Sequence, residues 1–179
     1  MRATLALSLW LCVDGCGEDR ASTALDAGRS ASAEAGPRCP PEEDLSGPDV
    51  SFTSEVMPLF SVSCAFSGCH DGLTRSAGLY LGPSVIEDAA APSIPARVFA
   101  SVTSPATTTP DMPRVTPGDP SHSFLWLKIE ACQNRMGLAC SDAPASPCGQ
   151  RMPALSPELP AERRRLLGRW IVRGAPGPE

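Results

Sequence analysis

The stretch Cys64-Ala-Phe-Ser-Gly-Cys69-His70 determines how the rest of this 179-residue chain is interpreted. It places two thiols and one imidazole in a single short segment, directly after an apolar segment that is typical of a helix. Three kinds of site fit such a cluster. The cysteines can close a small disulfide loop beside an uninvolved histidine, bind zinc with further ligands, or form thioethers to a haem whose iron the histidine coordinates.

The zinc and haem alternatives each require further ligands, and haem also requires a particular spacing of the cysteines. Zinc needs a fourth ligand, and the only other histidine is His122. Covalent haem normally uses C-x-x-C-H, whereas two additional residues separate these cysteines. Haem also needs a second axial ligand, usually Met or His. The candidates are Met152, Met112 and His122, because Met57 is expected in the core and Met136 at the surface.

The N-terminal residues indicate export. Arg2 precedes a mostly apolar run over residues 3–13, which is too short to span a bilayer but suits a signal peptide. Residues 1–16 are therefore predicted to be a signal of the lipoprotein type, with Cys16 as the lipidated residue. Cys12 fits less well because bulky Leu11 precedes it, and cleavage without lipidation is the alternative.

The charge distribution divides the remainder into two parts. Residues 17–50 are rich in Ala, Ser, Gly and Pro, show no periodicity and hold the whole net charge of −5. They are predicted to be a flexible acidic tether. Residues 51–179 have no net charge and are predicted to be one domain. A neutral domain does not suit nucleic acid, so no nucleic-acid partner is expected.

The predicted domain is helical, with short helices and long loops. One helix is expected from Phe52 onward, with Pro58 confining its regular part, and a second from Asp119-Pro120 to about Ala131. A third runs from about 160 to 173 and ends at Gly174. The chain has 20 Pro, 15 Gly and only nine aromatic residues, so its side chains alone predict a thin core.

Four further cysteines are expected to form disulfides in an oxidising compartment. They are Cys39, Cys132, Cys140 and Cys148, and three pairings are open to them. We expect Cys39 to tie the end of the tether to the loop that contains the other three.

The chain resembles the small single-haem cytochrome c domains in exported proteins of myxobacteria, planctomycetes and related bacteria. The shared motifs are, in chain order, Phe-x3-Val-x-Pro-x-Phe-x3-Cys from Phe52 to Cys64, Ser67-Gly68-Cys69-His70, Gly78-Leu79-Tyr80-Leu81, Arg114-Val115-Thr116-Pro117-Gly118-Asp119-Pro120, Ser123-Phe124-Leu125-Trp126-Leu127-Lys128, and Met152-Pro153 before a final helix closing in Trp170-Ile171-x-x-Gly174-Ala175.

The resemblance implies an all-α cytochrome c-like fold of three to five short helices with long loops around a covalent haem. It implies haem c attached through Cys64 and Cys69, with His70 as proximal and Met152 as distal iron ligand. The Phe60 and Trp170 side chains would join the first and last helices.

The function expected from this resemblance is one-electron transfer to an unidentified redox protein, rather than catalysis. The expected location is the periplasm or the outer membrane, with Cys16 as lipid anchor. Two alternatives stay open: an exported interaction module held by disulfides that has lost the haem, and a haem-based enzyme or sensor.

Overall fold

The computed structural model describes residues 39–40, 43–84, 86–88, 91–109, 112–140, 148–154 and 156–179. The predicted signal peptide 1–16, with Cys12 and Cys16, and residues 17–38 of the predicted tether lie outside the described residues.

The described part of the chain is helical. Four α-helices are present: α1 (Met57–Ser63), α2 (Ser93–Val102), α3 (Phe124–Ile129) and α4 (Ala161–Val172). A π-helical segment, Phe52–Val56, leads into α1, and short 3₁₀ turns occupy Ser76–Gly78 and Pro120–His122. Within the described residues the only β pairing is an isolated bridge between Pro105 and Pro113. The all-α prediction is confirmed at this level, and none of the described helices has the length and apolar character to cross a membrane.

The first helical segment divides where proline predicts. The Ser51 side chain caps the N-terminus by accepting a hydrogen bond from the Ser54 N–H. Pro58 lies where the π-helical segment runs into α1; the backbone before it is already helical, so its missing N–H removes one helical hydrogen bond. Upstream of it the backbone widens into the π-helical segment.

The helix predicted from Asp119 is interrupted. The Asp119 side chain accepts a hydrogen bond from the His122 N–H at 3.2 Å, but it caps only the 3₁₀ turn. Ser123 then takes an extended conformation before α3 begins. The prediction therefore placed the start of the α-helix too early.

Helix α4 agrees closely with the predicted 160–173. At its end the Gly174 N–H donates to the Ile171 carbonyl, and the Ala175 N–H donates to the Trp170 carbonyl, both at 2.9 Å. Gly174 has φ +90°, a conformation that glycine adopts without a Cβ clash, so it ends the helix as expected.

Helix α2 lies between the first two predicted helices, where the sequence indicated only a long loop. Its buried face consists of Ile94, Val98 and Val102, a regular helical spacing. Pro92 and Pro95 obscured that spacing, since proline usually signals a turn. Both lie at the helix start, where proline is tolerated.

The protein's own aromatic and aliphatic side chains fill the main core. The Phe52 ring lies 5.6 Å from the Trp170 ring and 5.3 Å from the Phe99 ring, centroid to centroid. Phe60, Trp126 and Trp170 are at most 2% exposed. The π-helical segment thus contacts α4, as the predicted pairing of first and last helices requires, although the ring contact uses Phe52.

A second cluster is built around two disulfides. Cys39–Cys132 and Cys140–Cys148 have Cα–Cα distances of 5.5 and 5.1 Å. Cys132 and Cys148 are buried together with Met112, Phe124 and Leu127. The expectation that these four cysteines form disulfides, and that Cys39 is tied to the 132–148 loop, is confirmed.

Residues 43–50, assigned by sequence to the tether, contact the domain. Val50 is 3% exposed in the main core. The Glu43 carboxylate lies 3.1 Å from the Arg164 guanidinium, which also lies 3.0 Å from Glu130. Arg173 donates a hydrogen bond to the Gly47 carbonyl at 2.6 Å. The packed domain therefore includes residues before the predicted start at 51.

We predict unequal contributions of the two disulfides to stability. Cys39–Cys132 spans a sequence separation of 93 and Cys140–Cys148 one of 8. Loop-closure entropy assigns about 4.6 kcal/mol to the first and about 2.5 kcal/mol to the second. Urea unfolding of the full chain should therefore show the larger loss for C39A/C132A than for the matched variant C140A/C148A. Equal losses would contradict this account.

Candidate functional site

Among the described cysteines, two are unpaired, and both lie in one hydrogen-bonded loop, residues 64–78, which we call the Cys-His loop. Its first residue ends α1, where the Cys64 N–H donates to the Phe60 carbonyl at 2.8 Å. The His70 N–H donates back to the Cys64 carbonyl at 3.3 Å, and the Leu81 N–H donates to the His70 carbonyl at 2.8 Å. The loop is thereby closed on itself and attached to the following segment.

The segment around Cys69 is held by three more hydrogen bonds. The Cys69 N–H donates to the Phe66 carbonyl at 2.9 Å, and the Cys69 carbonyl accepts from the Ser76 N–H at 2.9 Å. The Gly68 N–H donates to Thr74 Oγ1 at 3.1 Å. Gly68 has φ +85°, which suits glycine, so this turn has a local sequence cause.

The two thiols have different surroundings. Cys64 is partly buried against the main core, whereas Cys69 is exposed. Burial raises the pKa of the Cys64 thiol to about 12, and the nearby Cys69 adds to this effect. Cys64 is therefore protonated at neutral pH, and solvent reaches Cys69.

The His70 imidazole is bound to the backbone. The side chain is 7% exposed, and Nδ1 lies 3.1 Å from the Ser76 carbonyl oxygen. Burial lowers the pKa of His70, while backbone hydrogen bonds to Leu79 and Ser76 oppose this effect. The net shift is downward from an ordinary value of about 6.5, so the ring is mostly neutral at pH 7.

These surroundings do not fit a haem attached at this loop. One thiol lies against a core already filled by aromatic and aliphatic side chains, the other is exposed, and the imidazole is hydrogen-bonded to backbone. Among the described residues, no group of three or more His, Cys, Asp or Glu side chains could hold a metal ion. The prediction of haem c bound through Cys64 and Cys69 is therefore wrong, and the zinc alternative has no support either.

The surroundings of each axial-ligand candidate are defined by local contacts. The Met152 N–H donates to the Lys128 carbonyl at 2.8 Å, beside α3. Met112 is buried in the disulfide cluster, and the exposed His122 ring lies 2.7 Å from the Asp119 carboxylate. Met57 is in the main core and Met136 is exposed, as expected.

Two surface cavities, of about 640 and 400 Å³, lie away from the Cys-His loop. The larger is lined by residues of α1 and α2 together with Pro178 and Glu179, and the smaller by residues near Glu43 and Arg165. Neither includes Cys64, Cys69, His70 or Met152.

No family model matches the chain, and no curated protein or solved structure is significantly similar to it. The resemblance to single-haem cytochrome c domains stays a prediction drawn from the motifs alone.

We predict that the two thiols react at different rates in the folded protein. An exposed thiol that reaches the thiolate state reacts with iodoacetamide, whereas a buried one with a raised pKa is inert. Limited labelling at pH 8, followed by peptide mass analysis, should find Cys69 modified at least about tenfold faster than Cys64. Labelling in urea is the control, and equal rates in the folded chain would contradict the assignment.

Proposed function

We propose that this chain is an exported redox carrier in which Cys64 and Cys69 alternate between a dithiol and a disulfide, in exchange with a protein partner. One observation supports this most directly. The other four described cysteines are in disulfides, while these two remain thiols in a single loop and are close enough for Cys69 to influence the Cys64 pKa. A nearby unpaired pair beside disulfide-bonded cysteines is suited to reversible oxidation.

An oxidising compartment suits thiol–disulfide exchange. Disulfides persist in oxidising environments, so the two bonds indicate an exported location. We further propose that the protein resides in the periplasm or on the outer membrane, anchored through Cys16. This is supported by the apolar run over residues 3–13 and the Gly15-Cys16 pair in the sequence.

The proposed exchange proceeds in two balanced steps. The Cys69 thiolate attacks one sulfur of the partner's disulfide, the partner's sulfur–sulfur bond breaks, and one partner thiolate leaves and takes up a proton. The Cys64 sulfur then attacks Cys69 in the mixed disulfide, its proton passes to the medium, and the second partner thiolate leaves and is protonated. Two electrons and two protons move from the Cys64/Cys69 pair to the partner.

The exposure of each thiol supports its role. An attacking thiol must be accessible and reach the thiolate state, and Cys69 is the exposed one. A resolving thiol attacks only within its own chain, so burial does not prevent its reaction. The raised pKa of Cys64 slows that second step and prolongs the mixed disulfide.

The proposal replaces the expected one-electron transfer, which depended on the haem. We retain from the resemblance the proposal of a cytochrome c-like helical frame, supported by four short helices joined by long loops. The protein carries electrons rather than transforming a substrate of its own. In the competing function, an interaction module, Cys64–Cys69 would be a permanent staple.

We predict a Cys64–Cys69 reduction potential between about −120 and about −270 mV, the range of exchange-active pairs. Equilibrate the full chain in glutathione redox buffers, extended to lower potentials with dithiothreitol, and count alkylated thiols by intact mass, with C64A and C69A as controls. The fitted potential should disappear in both variants. A potential below about −300 mV would identify a structural staple, and a pair that never oxidises would equally overturn the proposal.

We also predict that resolution of the mixed disulfide accelerates with pH. Below a pKa of about 12 for Cys64, the thiolate fraction, and hence the rate, rises about tenfold per pH unit between pH 6 and 9. Form the mixed disulfide of Cys69 with thionitrobenzoate and follow its release by stopped-flow absorbance. C64A should release nothing. A plateau beginning near pH 8.5 would mean that Cys64 has an ordinary thiol pKa.

A further inference from the structure

Exposed apolar side chains are concentrated around the Cys-His loop. Six large apolar residues of the described chain are exposed, and three of them lie between residues 62 and 73. Val62 is 55% exposed, Phe66 52% and Leu73 61%. Scattered exposed apolar residues need no explanation, but a local concentration beside an accessible thiol is typical of a contact surface.

Hydrogen bonds place Phe66 and Leu73 next to Cys69. Phe66 is in the same turn, because its carbonyl accepts from the Cys69 N–H at 2.9 Å. Leu73 is next to Thr74, and the Thr74 hydroxyl accepts a hydrogen bond from the Gly68 N–H at 3.1 Å. Gly68 is the residue immediately before Cys69. Because these contacts hold the backbone of the loop, the backbone at Phe66 and Leu73 has little conformational freedom left to lose on binding.

The segment that carries these apolar residues contains little charge of its own. Between residues 61 and 74 the only charged residue is Asp71, which is 2% exposed and accepts a hydrogen bond from the Thr74 N–H. The next cation along the chain, Arg75, donates to the Gly72 carbonyl and lies 5.2 Å from the Tyr80 ring centroid. Two exposed cations border it: Arg75 follows it in the chain, and Arg163 of α4 donates a hydrogen bond to Ser63 Oγ at 3.3 Å. Glutathione disulfide is therefore a necessary comparison, and it should react more slowly than an apolar peptide if apolar contact selects the partner.

We infer that the partner of Cys69 is a polypeptide disulfide flanked by apolar side chains, which contact Phe66 and Leu73 during exchange. This inference rests on the proposed dithiol function and specifies its substrate class. Apolar contact beside the reacting sulfur aligns the partner's disulfide with Cys69 and excludes water.

The test compares three oxidised probes with the reduced full chain. Two are cyclic disulfide peptides of equal length, one with Leu and Phe beside its cysteines and the other with Glu and Ser, and the third is glutathione disulfide. The apolar peptide should react at least about tenfold faster than the acidic one, which corresponds to about 1.4 kcal/mol. Phe66→Ser and Leu73→Ser should each reduce this preference.

Val172→Ser is the matched control. Val172 is 41% exposed in the last residue of α4, so the change removes a comparable apolar side chain outside the Cys-His loop. It should leave the preference unchanged. Reactivity of each variant with dithionitrobenzoate reports whether the loop is still folded and the thiol accessible.

The outcomes separate this inference from the function on which it rests. Equal rates with both peptides, at a normal reduction potential, would overturn the substrate class and leave the dithiol function standing. A loss of preference in V172S equal to that in F66S would likewise overturn it. No reaction with any probe, together with no measurable potential, would overturn the proposed function itself.

Discussion

The contact of Phe52 with Phe99 and Trp170 joins parts of the chain that are far apart in sequence. Phe52 begins the π-helical segment, Phe99 belongs to α2 and Trp170 to α4. With few aromatic residues, the domain places most of those that the structure describes in this one core, which also includes Trp126 and Phe60. The Cys-His loop begins where α1 ends, so its position follows from how this core fixes α1. If this core packed loosely, Cys64 would be exposed like Cys69, and the two thiols would no longer differ in accessibility.

A group of buried ion pairs joins α4 to the segment before residue 51. Arg164 on α4 lies between the carboxylates of Glu43 and Glu130, and all three side chains are largely buried. Burial raises the pKa of Glu130, while the Arg164 charge opposes this effect. For Arg164, burial lowers the pKa, but the hydrogen bond to Glu43 and the two carboxylates outweigh it and raise it overall. Such a cluster specifies which segment binds where more than it adds net stability. Arg164 of α4 therefore pairs with a carboxylate of the segment that the sequence assigned to the acidic tether.

The sequence predicted the features that depend on local patterns. The apolar spacing of α4, Gly174 as its end and the effect of Pro58 on α1 all follow from rules that operate within a few residues. Helix α2 was missed because two prolines obscure a regular apolar face. The haem was wrongly predicted because two cysteines and a histidine lie close together in sequence in several kinds of site, including disulfide loops, zinc sites and haem sites. Burial of Cys64, exposure of Cys69 and the backbone bonds of His70 separate these kinds of site, and all depend on tertiary packing.

The Cys39–Cys132 bond also determines how this protein responds to proteases. Any single backbone cleavage between these two residues, including one in the segment that joins α2 to α3, leaves both pieces covalently connected. The nicked molecule would retain its full mass until the disulfide is reduced, and the core contacts between the pieces would hold them in register. An exported protein with this connectivity can be cut once in an exposed loop without losing a fragment.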